Sequence, residues 1–245
     1  MTRDEVEVQD RVAHLYEECR YEKPYARAYH DWWNRKLLSM VDCTGNVLDA
    51  GCGTGILGDI LAGTASVHVG MDISHVALRD FAKARIHLLT RGDAQQLPYA
   101  DGSFDTVIGR SLLHHLHEPE RAIDEIARVL KPGGELVVVD TNRSILTALP
   151  RWIANHGEHF SDDHQNMSYS DLSAMVATRF EIKTVYFFGF LAYPIGFPDI
   201  LDIGRYLPMA TTVTRLLIGL DAVLSRIPLV RRLAWGVMIM GRKKG

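Results

Sequence analysis

Apolar runs of strand length recur along this chain, each ending in a turn or an acid. Val47–Ala50, Ser66–Asp72, Leu88–Ala94, Phe104–Arg110 and Glu135–Asp140 form the first series, and Phe180–Phe188 and Trp235–Met240 follow. Between them lie segments with helical spacing, such as Ile56–Leu61 and Pro119–Leu130. Strands alternating with helices predict a right-handed, largely parallel sheet with helices on both faces. Residues 1–40 read as helical. Their aromatics, Tyr16, Tyr21, Tyr25, Tyr29, Trp32 and Trp33, fall on one face, with a break near Pro24. Ser168-Tyr169-Ser170-Asp171 offers a helix cap before Leu172, Met175 and Val176.

The chemistry enters where the first strand ends. Asp49-Ala-Gly51-Cys52-Gly53-Thr-Gly55 places three glycines over five positions, so no side chain separates the backbone from a ligand. A helix starting at Gly55 would turn its first amides toward that ligand. Gly53-x-Gly55-x-x-Gly58, with Asp72 nineteen residues after Gly53, formally fits a dinucleotide fingerprint and keeps a nicotinamide oxidoreductase as an alternative. Asp49 argues against it, since a carboxylate there would repel a pyrophosphate and suits a cationic amine.

The run Asp49–Gly55 resembles the first motif of class I S-adenosylmethionine-dependent methyltransferases. The resemblance covers roughly residues 41–141. It implies a Rossmann-like, seven-stranded, mostly parallel sheet whose last strand is antiparallel. It also implies S-adenosyl-L-methionine as cofactor, held by Asp49, Gly51, Cys52, Gly53 and Gly55. By the same resemblance Asp72 takes the ribose hydroxyls with Ile73 beside it, Asp93 and Ala94 meet the adenine, and Arg110 lines the site. Relatives close an N-terminal helix over the cofactor with a tyrosine, for which Tyr25 and Tyr29 are the candidates.

Ser111-Leu-Leu-His114-His115-Leu116 resembles the histidine pair of small-molecule and sugar O-methyltransferases related to the ubiquinone and menaquinone enzymes. In that branch an acid at the end of the fifth strand orients the base, and Asp140 occupies that place. The expectation is that His115, held by Asp140, removes the proton of an acceptor hydroxyl while His114 positions the substrate. The alternative is that the pair only lines the pocket. His156, His159 and His164 read as a polar substrate-facing loop with no metal.

Composition narrows the picture. A chain of 245 residues suits one domain: a helical cap (1–40), a cofactor core (41–141) and a substrate-side half (142–245). Three cysteines without metal spacing, and a polar start, lead to the expectation of a cytoplasmic protein. The net charge of −3 and the absence of an Asn/Asp-Pro-Pro-aromatic motif disfavour nucleic acid. The main departure from a minimal fold is an apolar insert at residues 190–234, broken by Pro194, Pro198, Pro208 and Pro228. Val213, Leu216, Leu217, Leu220, Val223, Leu224 and Ile227 form its stripe, with Arg215, Asp221 and Arg226 placed away from it. Residues 190–245 hold eight Arg or Lys and three Asp, a net of +5. The favoured expectation is a helical lid whose stripe covers the substrate pocket. The alternative is a basic surface making weak peripheral contact with anionic lipid. Either reading implies a small-molecule or amphiphilic acceptor. A cofactor-binding subunit without turnover is the non-enzymatic alternative.

Overall fold

A computed structural model describes residues 21–81, 88–144, 147, 167–198 and 202–245. Tyr16, Cys19 and the His156, His159 and His164 group lie outside the described residues. Seven strands form one sheet: β1 (Asn46–Ala50), β2 (Val67–Asp72), β3 (Leu88–Arg91), β4 (Phe104–Arg110), β5 (Leu130–Thr141), β6 (Phe180–Phe188) and β7 (Gly236–Lys243). The helices are α1 (Pro24–Leu38), α2 (Gly58–Leu61), α3 (His75–Phe81), α4 (Pro119–Val129), α5 (Tyr169–Ala177), α6 (Tyr193–Gly196) and α7 (Ala210–Leu224).

The strand order is β3-β2-β1-β4-β5-β7-β6. The first five strands pair in parallel, and β7 runs antiparallel to both β5 and β6. This is the Rossmann-like sheet implied by the sequence. The order reverses between β1 and β4, and the crevice beyond their carboxyl ends is where such sheets bind ligands.

Central strands are mainly apolar because both faces are covered. On β5, Leu136 and Val138 join one core with Ile123 and Ile126 of α4 and Leu172 and Val176 of α5. Val137 and Val139 join the other with Tyr29, Trp33 and Leu37 of α1 and Leu57 and Leu61 near α2. Period-two alternation thus sorts one strand into two cores. Ser168 and Asp171 form a reciprocal capping box on α5, as their spacing predicts.

The helix expected from Gly55 begins only at Gly58, with residues 55–57 forming a turn. The larger correction concerns α7. Val213, Leu217 and Leu224 pack inward, whereas Leu216, Leu220, Val223 and Ile227 are exposed. The predicted single stripe is therefore two faces, and half of it covers nothing. Asp221, placed on the polar side by the sequence, is buried. Its carboxylate accepts the backbone N–H groups of Phe190, Leu191 and Ala192 at 2.9, 2.8 and 3.2 Å. Burial pushes its pKa up, and these three bonds hold it back. Asp221→Ala is expected to cost on the order of 3 kcal/mol in urea unfolding, since buried donors lose their acceptor. An unchanged midpoint would show that the loop satisfies them otherwise.

Because β6 parallels β5, the insert leaves the sheet at the edge that carries the ends of β1, β2, β4 and β5. It is fixed there against α1. A Cβ on Gly196 would overlap the Tyr29 ring, and one on Gly204 would overlap the Tyr25 ring.

Candidate active site

The turn after β1 needs its glycines for backbone reasons. Gly51, Gly53 and Gly55 have φ of 74°, 55° and 84°, a region other residues enter at a cost. Gly51 and Cys52 donate N–H bonds to Met71 O at 2.8 and 3.0 Å, tying the turn to β2. Asp72, the last residue of β2, completes the tie. Its Oδ2 accepts from Gly53 N at 2.8 Å and its Oδ1 from Ser74 N at 2.9 Å. Ile73 follows, its carbonyl accepting from Arg91 Nε at 3.1 Å.

Asp49 lies one residue before the end of β1 and is 1% exposed. Neither of its carboxylate oxygens has a hydrogen-bond partner among the described residues. Burial pushes its pKa up to about 7, against the pull of Arg110 and with a further push from Asp72. A buried, unsatisfied carboxylate is costly unless a ligand completes it. A cationic amine would do so, and a pyrophosphate would not.

The floor beyond β2 is set by Asp93, whose Oδ1 accepts from Gln95 N at 2.9 Å and which also holds Gln95 Nε2. Burial works to raise its pKa, but the Gln95 bonds bring it below the ordinary carboxylate value. Ala94 beside it is buried. Burial lifts the Cys52 thiol well above its ordinary pKa, so it stays protonated and is no nucleophile.

Arg110, ending β4, reaches α1. Its Nε donates to Asn34 Oδ1 at 2.9 Å and its guanidinium lies 4.3 Å from the Trp33 ring centre. Nη2 stands 3.5 Å from His30 Nδ1. His30 and Asn34 are fully buried, and sequence reasoning missed them. Their four-residue spacing, one position after Tyr29 and Trp33, was the available signal. Both tyrosine candidates contact the insert. The Tyr25 hydroxyl donates to Asp202, which also meets Lys23 Nζ at 2.9 Å. Tyr29 sits in an aromatic cluster with Trp32, Tyr193 and Phe197. Both rings lock α1 to the insert.

After Arg110 the chain turns through Ser111 at φ 53°, with Ser111 N bonded to Val139 O at 2.8 Å. That turn drops the 3₁₀ segment Leu113–His115 over Asp140 near the end of β5. Asp140 Oδ2 accepts from Leu113 N at 3.0 Å and Oδ1 from Thr141 N at 2.9 Å. Oδ1 also bonds His114 Nδ1. The sequence assigned Asp140 to His115; the ring that it holds is His114, with the His115 ring tilted beside it at 4.0 Å between ring centres. Burial alone would raise the Asp140 pKa, yet His114, the N–H bonds and His115 together keep it below the usual value. It remains a carboxylate, able to fix the tautomer and support an imidazolium.

Comparison with known proteins matches this geometry. Residues 48–138 fit the family model described as a methyltransferase domain. A phosphatidylethanolamine N-methyltransferase of Cereibacter sphaeroides is 37% identical over 106 residues, covering 39% of this chain and 50% of that protein. A ubiquinone biosynthesis O-methyltransferase of Thiobacillus denitrificans is 36% identical over 107 residues, covering 40% and 45%. The chain spans about half the length of these curated relatives. In fold, it resembles the N-methyltransferase NodS of Bradyrhizobium japonicum, solved with S-adenosyl-L-homocysteine. The TM-score is 0.65 at 14% identity, over 98% of this chain and 99% of that one. The sheet has the fold of that solved structure, and its glycine turn lies within residues 48–138, the stretch that matches the methyltransferase domain model.

Proposed function

We propose that this protein transfers a methyl group from S-adenosylmethionine to a hydroxyl of a small, amphiphilic acceptor. The observation that carries the reading is Asp49: an unsatisfied buried carboxylate beside three left-handed glycines. Asp49 would hold the cofactor's ammonium, the Gly51–Gly55 turn would lie against its backbone side, and Asp72 would hold its ribose. Bound there, S-adenosylmethionine supplies an activated methyl on a positively charged sulfur. The protein's own contribution is to place an acceptor in line with that methyl and to take its proton.

The proton acceptor is assigned to His114. With Nδ1 directed to Asp140, Nε2 would be the nitrogen that takes the proton, and Asp140 would stabilise the charge that results. A neutral amine attacks without first losing a proton, whereas a hydroxyl gains most from a base at this point. That difference favours oxygen as the acceptor atom. The named relatives act at nitrogen in one case and in ubiquinone biosynthesis in the other. A base at this position is compatible with the second.

Calorimetry with S-adenosylmethionine and with NADH tests the cofactor assignment. Binding of the first is expected, and NADH binding alone would overturn it. Asp72→Ala should weaken S-adenosylmethionine binding by about 1.5–3 kcal/mol, the range for a hydrogen bond to a charged group. Undiminished affinity in a folded Asp72→Ala protein would remove this residue from the site.

A further inference from the structure

The outward half of the α7 stripe is left with no role by the site just described. Leu216, Leu220 and Val223 are 66%, 52% and 58% exposed, and Ile227 continues the row past the helix end. Beyond it Leu229 is 84% exposed. Scattered exposed leucines are ordinary, but a row at three- and four-residue spacing along one helix face is an organised surface.

Charge around the row identifies what it fits. Residues 203–234 contain five arginines, at 205, 215, 226, 231 and 232, and one acid, Asp221. All five arginines are exposed, while Asp221 is turned inward onto the backbone of residues 190–192. Residues 203–234 therefore present an exposed apolar row together with exposed arginines, and their one acid is turned away from solvent. Apposing two copies would bring arginines together with no exposed acid from this segment to offset them. A nucleic acid would satisfy the arginines and leave the leucines in water. An anionic lipid surface satisfies both, with phosphates at the margin and acyl chains under the row. No helix among the described residues is long and apolar enough to cross a membrane, so the contact is one of lying on the surface.

We infer that the outward face of α7 docks on an anionic lipid bilayer. This reverses the preference drawn from sequence, in which the stripe covers the substrate pocket. The insert joins the sheet at the edge that carries Asp49, Asp72 and Asp140, so docking would hold that edge near the bilayer. If the proposed reaction is right, its acceptor is then an amphiphile resident in the membrane. The docking itself does not depend on that reaction.

Cosedimentation of the full chain with vesicles tests this. One set holds equal parts phosphatidylglycerol and phosphatidylcholine, the other phosphatidylcholine alone. At low ionic strength the protein is expected to partition onto the anionic vesicles at least ~10-fold more strongly, and molar salt should release most of it. Leu216→Glu/Leu220→Glu should abolish sedimentation and leave S-adenosylmethionine affinity unchanged by calorimetry, which separates loss of docking from loss of fold. Arg215→Glu/Arg226→Glu should weaken only the anionic-vesicle binding. Absence of vesicle binding in the wild type, or undiminished binding in the double glutamate variant, would overturn the inference. So would self-association dissolved by Leu216→Glu/Leu220→Glu in a protein that ignores vesicles, which would assign the face to a second copy. Failure of S-adenosylmethionine binding with docking intact would overturn the proposed reaction alone.

Discussion

His114→Ala is expected to lower methyl transfer by about 10²–10⁴-fold, the usual contribution of a positioned base, while cofactor affinity stays nearly intact. The expectation rests on the bond between His114 Nδ1 and Asp140 Oδ1 and on the two backbone N–H groups that hold Asp140 in place. Those N–H bonds survive in the variant, so the carboxylate is not left without partners. Asp140→Asn should be less damaging, because an amide can still orient the ring but does not offset an imidazolium. The wild-type rate should fall on acidification, since a protonated imidazole accepts nothing. Turnover compared in His114→Ala and His115→Ala decides the assignment. A large loss only in His115→Ala would return the role to the residue that sequence resemblance favours.

Asp49→Asn should have opposite effects on stability and on binding. In the folded protein Asp49 titrates near 7, against an ordinary value of 3.8. Below 3.8 both states carry the proton. As pH rises from 3.8 to about 7 the unfolded chain releases it and the folded chain keeps it, so this residue's contribution to stability falls across that window. The full difference corresponds to as much as ~4 kcal/mol. The asparagine variant, free of that penalty, is expected to melt higher than wild type at pH 8. It should also bind S-adenosylmethionine ~100-fold more weakly or worse, as a buried charge pair loses one member. In the wild type, binding at pH 7 should release roughly half a proton, read by calorimetry in buffers of different ionisation enthalpy. Equal affinity in Asp49→Asn would show that the amine is held elsewhere.

What the sequence discloses follows from how local the cause is. Strand β6 has the bounds its pattern predicts, and β7 begins within a residue; β7 is buried from Gly236 to Gly241, while edge strand β6 is marked by its apolar ends, Phe180 and Phe187–Phe188. Asp49 is legible because an acid at the strand end before a glycine turn makes a charge argument that needs no coordinates. What local pattern does not disclose has a non-local origin. Whether Asp140 meets His114 or His115 depends on the Ser111 turn, which is pinned by Val139 of another strand. Tyr25 and Tyr29 look available until Gly204 and Gly196, over 160 residues later, close on them. On α7 periodicity fails because apolar residues occur on both sides, so it cannot say which side meets the protein. Burying Asp221 instead of a leucine is a solution that no hydropathy scale ranks first.

The contact of those two tyrosines with two glycines also bears on how an acceptor gets in and out. Residues 24–38 and the described residues of 193–224 are separated in the chain by most of the sheet, yet ring against backbone packs them into one part. Arg110 extends that part to the end of β4 through Asn34. A movement that admits substrate past α1 must carry α7 with it, and a helix held on a bilayer would restrain both. Access to the reacting atoms would then be gated by where the protein sits as much as by what it binds.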